Sequence, residues 1–405
     1  MKVALVLPPV SFEERYPKGI AKAVGNLPPL GILYIAAAVR AGGHEVCVLD
    51  GSVYDIAYIT AALAKFKPDL IGINVMTFLW EKVKSWSVEL KKQFPNLFIV
   101  VGGPHATISK QKLLEDCMTV DGLITGEGEL LFRDLATNLE KKQPLDSIKG
   151  LIWRKKGAIT INEKNERITD LDALPFPARD LIPLLNYVPA PEQYKRLPMT
   201  NVMTTRGCPY QCTFCNSRLT APKYRSPENV MLEIKELVDT YGMKEIAFWD
   251  DTFTLNKQRV LAMCKLLKEH KFGIVWSAHS RANLIDDELV KAMKEAGCWK
   301  LFFGFESMLQ KNLDTLKKGI RVEDHFRAVA LCKKYGIETE CSFIFGIPGE
   351  TYEDALETMR LINELNPDYM KCFSMTPMPG TELWEKADEY GELNRDLTKF
   401  SIGRA

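Results

Sequence analysis

The sequence lacks a long apolar run, an export signal and an excess of charge of either sign. No stretch reaches the roughly 18 apolar residues that a membrane-spanning helix needs. The opening MKVALVLPPV has neither the length nor the small-residue cleavage site of a signal peptide. The 53 basic and 52 acidic residues leave a formal net charge of +1, so no footprint for nucleic acid is expected. These absences predict a cytoplasmic protein without a membrane span.

The ten cysteines also lack the pattern of a disulfide framework. Without an export signal they are expected in a reducing compartment, where thiols bind metals or fill cores. Seven of them are scattered with no pair at ligand spacing, so no second metal motif is predicted. These seven are Cys47, Cys117, Cys264, Cys298, Cys332, Cys341 and Cys372.

The other three cysteines lie together in the stretch MTTRGCPYQCTFCNSR, residues 203–218. Cys208, Cys212 and Cys215 follow a C-x3-C-x2-C spacing on a loop opened by Gly207, and soft thiolates at this spacing can hold one small metal centre. Zinc usually takes four protein ligands, and no fourth Cys or His lies nearby. The pattern favours a [4Fe–4S] cluster with one iron left open. Three reduced structural cysteines are the alternative.

Strands alternate with helices in the N-terminal part of the chain. Apolar runs predict strands at 2–7, 45–49, 70–76, 97–101 and 122–124, with helices between them. This order indicates a doubly wound parallel sheet, whose ligands lie outside the carboxyl ends of its strands. A hairpin is predicted over 150–162 and an ordered linker over 163–197.

A second alternating series follows the linker. It contains six parallel strand–helix units, and chemistry in folds of this kind lies at the strand carboxyl ends. The predicted strands are 199–204, 245–249, 274–279, 299–305, 339–345 and 369–375.

The cysteine loop and the series after it resemble the radical S-adenosylmethionine (SAM) superfamily, whose signature is C-x3-C-x-Φ-C with Phe214 here as the aromatic. The resemblance implies a partial (β/α)6 barrel and a [4Fe–4S] cluster held by Cys208, Cys212 and Cys215. It also implies that SAM binds the open iron and is cleaved to methionine and a 5′-deoxyadenosyl radical.

The N-terminal part resembles the cobalamin-binding domain that precedes many radical SAM barrels. The resemblance is carried by PPLGILYIAAAVRAGGHEV, VVGGPHAT, GEGE and the link LDALPFPARDLIP. It implies an α/β chain with a Rossmann-like cobalamin-binding sheet ahead of the barrel. The expected divisions are a cobalamin-binding domain at 1–142, hairpin and linker at 143–197, the barrel at 198–376, and a short cap or remnant at 377–405.

The residues that the resemblance places against cobalamin follow the third, fourth and fifth strands. They are Asn74, Thr77, Gly102, Gly103, His105, Gly126 and Glu127. Ordinary turns, and a buried histidine at position 105, are the alternatives. Since Asp50 is followed by GSVYD and not by the D-x-H-x-x-G pattern, we expect cobalamin to bind without a histidine on its lower face.

The residues expected to contact SAM lie on the cysteine loop and at the strand ends of the barrel. They are Phe214, Asp250, Asp251, Arg281, Glu306, Ser307 and Gly346. An aspartate would bind the ammonium group and Arg281 the carboxylate. Glu306, in a GxES-like element, would contact the ribose or amino group, and Gly346 would lie on the adenine side.

Each of these assignments has a structural alternative. The aspartates could cap the following helix, Arg281 could form a surface salt bridge, and Glu306 could cap a helix. No catalytic side chain is identifiable from the sequence.

The resemblance implies a cobalamin-dependent radical SAM methyltransferase. It would abstract hydrogen from an unactivated sp3 carbon and transfer a methyl group from methylcobalamin, with a second SAM restoring that methyl group. The chain also resembles the anaerobic Mg-protoporphyrin monomethyl ester cyclase type, which closes a ring without methyl transfer, and the sequence does not separate the two.

Two remoter functions are a non-catalytic cobalamin or iron–sulfur carrier or sensor, and a tRNA methylthiotransferase. The second would need extra N-terminal cysteines and a basic C-terminal module. A small-molecule substrate and a reducing partner such as a flavodoxin or ferredoxin are implied. The sequence defines neither the substrate nor the oligomeric state.

Overall fold

A computed structural model describes residues 1–10, 25–164 and 167–396. Part of the loop predicted before Pro29, residues 11–24, and the end of the predicted cap, residues 397–405, lie outside the described residues. The chain divides into two compact units. The first contains Met1–Thr169 and Ala173–Pro189, and the second contains Asp170–Asp172 and Ala190–Asn394.

The first unit is built on a seven-stranded sheet. Its strands are β1 (Lys2–Leu7), β2 (Glu45–Asp50), β3 (Leu70–Asn74), β4 (Phe98–Gly102), β5 (Gly122–Ile124), β6 (Leu151–Lys155) and β7 (Ala158–Ile161). Its helices are α1 (Leu30–Ala41), α2 (Ile56–Phe66), α3 (Trp80–Gln93), α4 (Pro104–Ser109), α5 (Lys112–Asp116) and α6 (Glu129–Glu140). The spatial order is β2-β1-β3-β4-β5-β6-β7. Strands β1 to β5 are parallel, which confirms the predicted doubly wound sheet.

The predicted hairpin forms as β6 and β7, and it extends this sheet. β6 pairs antiparallel with β5, with Leu123 opposite Ile152. Because β5 would otherwise be an edge strand with unpaired backbone groups, the hairpin satisfies them and covers that edge. The short helices α4 and α5 were not predicted, since five or six residues are too few to show a helical period.

The core of the first unit follows from the sequence of its strands. β1 reads KVALVL, and Val3 to Val6 are 0 to 1% exposed. Such continuous apolar strands are typical of a parallel sheet covered by helices on both faces. Polar residues lie instead in the loops at the strand carboxyl ends.

The second unit is a six-stranded open barrel. Its main strands are β8 (Met199–Val202), β11 (Glu245–Phe248), β12 (Val275–Ser280), β13 (Cys298–Glu306), β14 (Glu338–Phe345) and β15 (Tyr369–Ser374), and a separate pair is β9 (Thr205–Arg206) with β10 (Lys223–Tyr224). Its helices are α7 (Pro227–Tyr241), α8 (Lys257–His270), α9 (Asp287–Glu295), α10 (Gln310–Thr315), α11 (Val322–Tyr335), α12 (Tyr352–Leu365) and α13 (Glu382–Glu385). The order β15-β14-β13-β12-β11-β8 is parallel throughout, which confirms the predicted partial barrel.

Alternation along β12 separates the two faces of the barrel sheet. Trp276 packs against Phe248 at 5.3 Å between ring centroids, on the helix-covered face. His279 therefore points to the opposite, inner face. There its ring lies 4.8 Å from that of Trp249 and 5.0 Å from that of Phe302.

A layer of paired charges lies on the same inner face, nearer the strand N-termini. Lys300 is fully buried, and its Nζ lies 2.5 Å from Glu340 Oε2. Lys371 Nζ lies 2.5 Å from the other carboxylate oxygen of Glu340. A buried carboxylate needs such partners, and Glu340 finds them in these two lysines.

In the described part of the predicted C-terminal cap, residues 377–396, the short helix α13 is followed by a 3-10 turn at Ala387–Glu389. Leu383 N donates to Thr213 O at 3.0 Å. Glu382 accepts from Arg218 at 2.8 Å and from Lys317 at 2.7 Å. The segment is thus fastened to the cysteine loop.

No helix among the described residues is long and apolar enough to cross a membrane.

Candidate functional site

The backbone of the second unit shapes the cysteine loop. β9 and β10 pair antiparallel at its base, with Arg206 opposite Lys223. Gly207 has φ +93°, and a Cβ there would lie 3.0 Å from Thr220 O, so the turn requires glycine. Thr220 N donates to Cys208 O at 2.9 Å. These contacts shape the backbone at the base of the loop.

The three thiols of the loop are free and unequally buried. Cys212 is 7% exposed, whereas Cys208 and Cys215 are half-buried. Burial raises the pKa of Cys215, and the nearby groups of Cys212, Asp251 and Cys208 raise it further.

This donor set fits an iron–sulfur cluster. Within residues 1–10, 25–164 and 167–396, no three His, Cys, Asp or Glu side chains converge closely enough to hold a single metal ion. In a cluster the cysteine thiolates bind different irons, so their sulfurs need not converge on one point. Three free thiols on one loop, two of them half-buried and one buried, meet that requirement.

Arg281 lies against this loop. It is 5% exposed, its guanidinium carbon lies 3.5 Å from the centroid of the Tyr210 ring, and its Nη1 donates to Cys212 Sγ at 3.8 Å. Its Nη2 donates to the backbone oxygen of Lys318. The alternative of a surface salt bridge is therefore wrong, and contact with the SAM carboxylate stays a prediction.

The two predicted aspartates have different environments. Asp250 is 1% exposed, and its carboxylate accepts three hydrogen bonds, from Thr204 N at 2.6 Å, Thr204 Oγ1 at 2.5 Å and Thr205 N at 2.9 Å. Burial raises its pKa. These bonds tie β11 to the start of the cysteine loop, which is a structural task. Asp251 is exposed, with Ser217 Oγ donating to it at 3.3 Å.

Neither aspartate caps the helix that follows. The N-cap of α8 is Asn256, whose side chain accepts from Arg259 N at 3.0 Å. The capping alternative is wrong for both. Asp251 remains the candidate for the SAM ammonium group.

Glu306 forms a buried ion pair that the sequence did not predict. Its Oε1 lies 2.7 Å from Lys318 Nζ, and both side chains are 8% exposed. Lys318 Nζ also lies 5.9 Å from the centroid of the Phe214 ring on the cysteine loop. In the sequence, the only signal for this partner was the run Lys317-Lys318-Gly319, which follows α10.

The backbone at Glu306 is strained. Its φ is +67°, and the β13–β14 register shifts between Gly304 and Glu306. A non-glycine residue in this conformation costs about 1–3 kcal/mol and is typical of functional sites. Glu306 does not cap α10, whose N-cap is Leu309; Ser307 Oγ instead accepts from Leu309 N at 3.2 Å.

Glu350 links the loops that carry Ser307 and Gly346, both expected to contact SAM, and this role was also missed by sequence reasoning. Its Oε2 accepts from Gly346 N at 2.5 Å, and its Oε1 accepts from Asn312 Nδ2 at 2.9 Å. Asn312 Nδ2 also donates to Ser307 Oγ at 3.1 Å. The loops that carry Ser307 and Gly346 are therefore held together by a single carboxylate.

The predicted cobalamin loops lie at the carboxyl ends of β3, β4 and β5 in the first unit. Gly103 has φ +94°, and a Cβ there would lie 2.8 Å from Asn74 Oδ1. Gly126 N donates to Thr107 Oγ1 at 3.1 Å, which joins the loops after β4 and β5. Beside Gly102 and Gly126 an added Cβ would meet nothing within 4 Å. This open, glycine-lined edge fits a large flat ligand.

Thr77 and His105, which follow β3 and β4, line a cavity of about 450 Å³. His105 is 1% exposed, Ser109 Oγ lies 3.4 Å from its Nδ1, and burial lowers its pKa. This environment matches the alternative of a buried histidine. Glu127 Oε2 accepts from Ile168 N at 2.7 Å, so it holds the linker.

Comparison with known proteins identifies the family. The sequence matches the Radical SAM superfamily over residues 202–362 and the B12 binding domain over residues 17–136. It is 37% identical to an uncharacterised methyltransferase of Pyrococcus horikoshii, over 96% of this chain and 83% of the relative. The chain therefore belongs to the cobalamin-dependent radical SAM enzymes. Its cofactors are a [4Fe–4S] cluster, SAM and cobalamin.

Within that family the chain is also similar to the anaerobic magnesium-protoporphyrin IX monomethyl ester cyclase of Rubrivivax gelatinosus. The identity is 27% over 96% of this chain and 71% of the cyclase. The radical SAM methyltransferase TsrM of Kitasatospora setae, with tryptophan substrate and a SAM analog bound, superposes with a TM-score of 0.75. That match has 20% identity and covers 96% of this chain and 76% of TsrM, so it shows the fold alone.

Proposed function

We propose that this protein methylates an unactivated carbon of a small molecule. The observation that carries the proposal is the 37% identity to a methyltransferase along 96% of the chain, which includes both units. When bound, the cluster supplies the electron that cleaves SAM, and the corrin supplies the methyl group. The task of the chain is to hold, orient and shield these groups.

Three groups of side chains are proposed to prepare the second unit for SAM. Cys208, Cys212 and Cys215 hold the cluster and leave one iron free. The exposed carboxylate of Asp251 accepts hydrogen bonds from the SAM ammonium group, a charge-assisted contact. The Glu306–Lys318 pair offers a carboxylate and an ammonium group, and the charge of each group balances that of the other.

The methyl acceptor is proposed to lie against the inner face of the barrel, beside Trp249, His279 and Phe302. Trp249 is 39% exposed, which is high for an indole that faces a barrel interior. Burial lowers the pKa of His279 to about 4, so its imidazole is neutral at pH 7. A neutral aromatic wall suits an apolar or ring-bearing acceptor.

The first unit is proposed to bind cobalamin through shape more than charge. The loops with Asn74, Gly103 and Gly126 leave room for the corrin, and no histidine is expected on cobalt. An imidazole nitrogen bound to cobalt, seen by electron paramagnetic resonance (EPR), would contradict this proposal.

The experiment that tests methyl transfer uses anaerobically purified protein loaded with iron, sulfide and cobalamin. It is given SAM with a labelled methyl group, a strong reductant and a small-molecule extract. We expect 5′-deoxyadenosine, S-adenosylhomocysteine and a labelled product to form together. Deoxyadenosine without any labelled product would reject methyl transfer.

Ring closure without methyl transfer is the second candidate. It is favoured by the cyclase relative, which aligns over 96% of this chain. Here deoxyadenosine would form with an unlabelled cyclic product and without S-adenosylhomocysteine. A carrier or sensor would yield no deoxyadenosine, and Cys208→Ala would leave its function intact only if the cluster is irrelevant to that function.

A further inference from the structure

We propose that Arg281 is a positioning residue that holds the ligand Cys212 and raises the reduction potential of the cluster. The inference rests on the proposed function in one respect, that the three cysteines hold a cluster. It goes beyond that function because it concerns how easily the cluster accepts an electron.

The guanidinium group of Arg281 is fixed from several sides. The ring of Tyr210 lies 3.5 Å from its central carbon, and the backbone oxygen of Lys318 accepts from Nη2. The remaining terminal nitrogen, Nη1, donates to Cys212 Sγ at 3.8 Å. Because Cys212 is itself only 7% exposed, the N–H···S contact is shielded from water.

The positive charge of Arg281 is not neutralised by an ion pair with a carboxylate in the part of the chain that the structure describes. Its Nε is buried and also has no hydrogen-bond partner there. The nearest groups are a ring, a thiol and a backbone carbonyl. The charge is therefore directed at the cysteine loop.

A reduced cluster carries one more negative charge than an oxidised one. Hydrogen bonds to the ligand sulfurs and nearby positive charge favour the reduced state, and both raise the potential. Arg281 supplies both at the same sulfur. Its removal should make the cluster harder to reduce even when SAM is absent.

This role can be separated from contact with the SAM carboxylate. A residue that only binds SAM would change SAM affinity and leave the potential of the SAM-free cluster unchanged. A residue that bonds a ligand sulfur changes that potential before SAM is added.

The test is an EPR redox titration of anaerobically loaded, full-length protein without SAM. Arg281→Met removes the charge and the donor, and Arg281→Lys keeps the charge without the planar fork. Arg218→Met is the matched control, since Arg218 lies on the same loop but pairs with Glu382 at 2.8 Å. We expect the midpoint potential to fall most in R281M, less in R281K, and to stay near wild type in R218M.

A second readout is the coupling of an exchangeable proton to the reduced cluster, measured in H2O and D2O. This coupling should weaken in R281M and persist in R218M. The inference is overturned if R281M keeps both the wild-type potential and this coupling, or if R218M shifts the potential as much.

The Tyr210 ring provides an independent test should R281M bind too little iron. Tyr210→Phe keeps the ring below the guanidinium and should keep the potential, whereas Tyr210→Leu should lower it. Equal potentials in these two variants and in R281K would reject the inference. Wild-type protein that binds no iron would instead reject the proposed function.

Discussion

The two units present their candidate ligand loops in opposite ways. In the first unit the strand ends offer backbone and open space, with glycines at positions 102, 103 and 126. In the second unit they offer buried charge and sulfur, with Arg281 on Cys212 and Glu306 on Lys318. A large preformed ligand can be held by shape, whereas a reactive centre needs charges that are already oriented. Ligand binding by the first unit should therefore be sensitive to added bulk. Cluster binding and stability of the second unit should be sensitive to the loss of a charge or a sulfur.

The largest effect is expected from the cysteine loop. Cys208→Ala should abolish cluster binding and SAM cleavage, because one iron loses its only protein ligand. Iron content and 5′-deoxyadenosine formation measure this. Cys372→Ala, at an exposed cysteine on β15, is the control and should keep both.

The next effect is expected at the buried ion pair. Glu306→Gln leaves the Lys318 ammonium buried without its partner, which costs roughly 3–5 kcal/mol of unfolding free energy. Glu306→Gln with Lys318→Met should recover part of that loss. Chemical denaturation measures both, with Lys235→Met, in an exposed pair with Asp239, costing less than about 1 kcal/mol. Equal losses of unfolding free energy at the two pairs would contradict the expected difference between a buried and an exposed ion pair.

A smaller effect, a pH dependence of folding stability, is expected from His325 on α11. His325 is fully buried, stacks 4.1 Å from Phe305, and has no hydrogen-bond partner on either ring nitrogen within the described residues. Burial, assisted by the charge of Lys318, lowers its pKa to about 3. The unfolded chain therefore binds a proton first on acidification, and stability falls as the pH drops from about 6.5 toward 3.

For this one histidine the loss between pH 7 and pH 4.5 should be roughly 2–3 kcal/mol. Denaturation midpoints at the two pH values should differ less in His325→Leu than in wild type. His270→Leu, at an exposed histidine on α8, is the control. The same pH dependence in His325→Leu and wild type would contradict the assignment.

The smallest effect concerns the first unit and tests its sensitivity to bulk. Gly103→Ala places a methyl group 2.8 Å from Asn74 Oδ1 at φ +94°, so the loop must shift. We expect cobalamin affinity to fall roughly tenfold, which corresponds to about 1.4 kcal/mol, while the cluster still loads. Gly43→Ala has a similar φ of +86° but meets nothing within 4 Å, and it should keep cobalamin affinity. Absorbance titration with cobalamin compares the two.

The strands and long helices were predictable to within about two residues because their apolar period is local to the sequence. β1, predicted over 2–7 and formed by Lys2–Leu7, and β4, predicted over 97–101 and formed by Phe98–Gly102, are examples. The cysteine loop was equally visible, since its three ligands lie within eight residues.

Contacts between distant residues were not visible in the same way. Lys318 is twelve residues from Glu306, and Arg281 is 69 residues from Cys212. Asp250 was expected to face SAM but is used to tie β11 to the cysteine loop. A side chain's partner is set by the packing of several elements, which no single stretch of sequence records.

Thr213 is held by backbone hydrogen bonds on both sides. This residue stands between two of the proposed cluster ligands, and its N donates to Leu316 O while its O accepts from Leu383 N, each at 3.0 Å. The bond from Leu383 attaches the short helix at Glu382–Glu385 to the backbone between Cys212 and Cys215. A protease cut just ahead of Thr381 should bleach the brown colour of the loaded protein in air well before the barrel loses its circular dichroism.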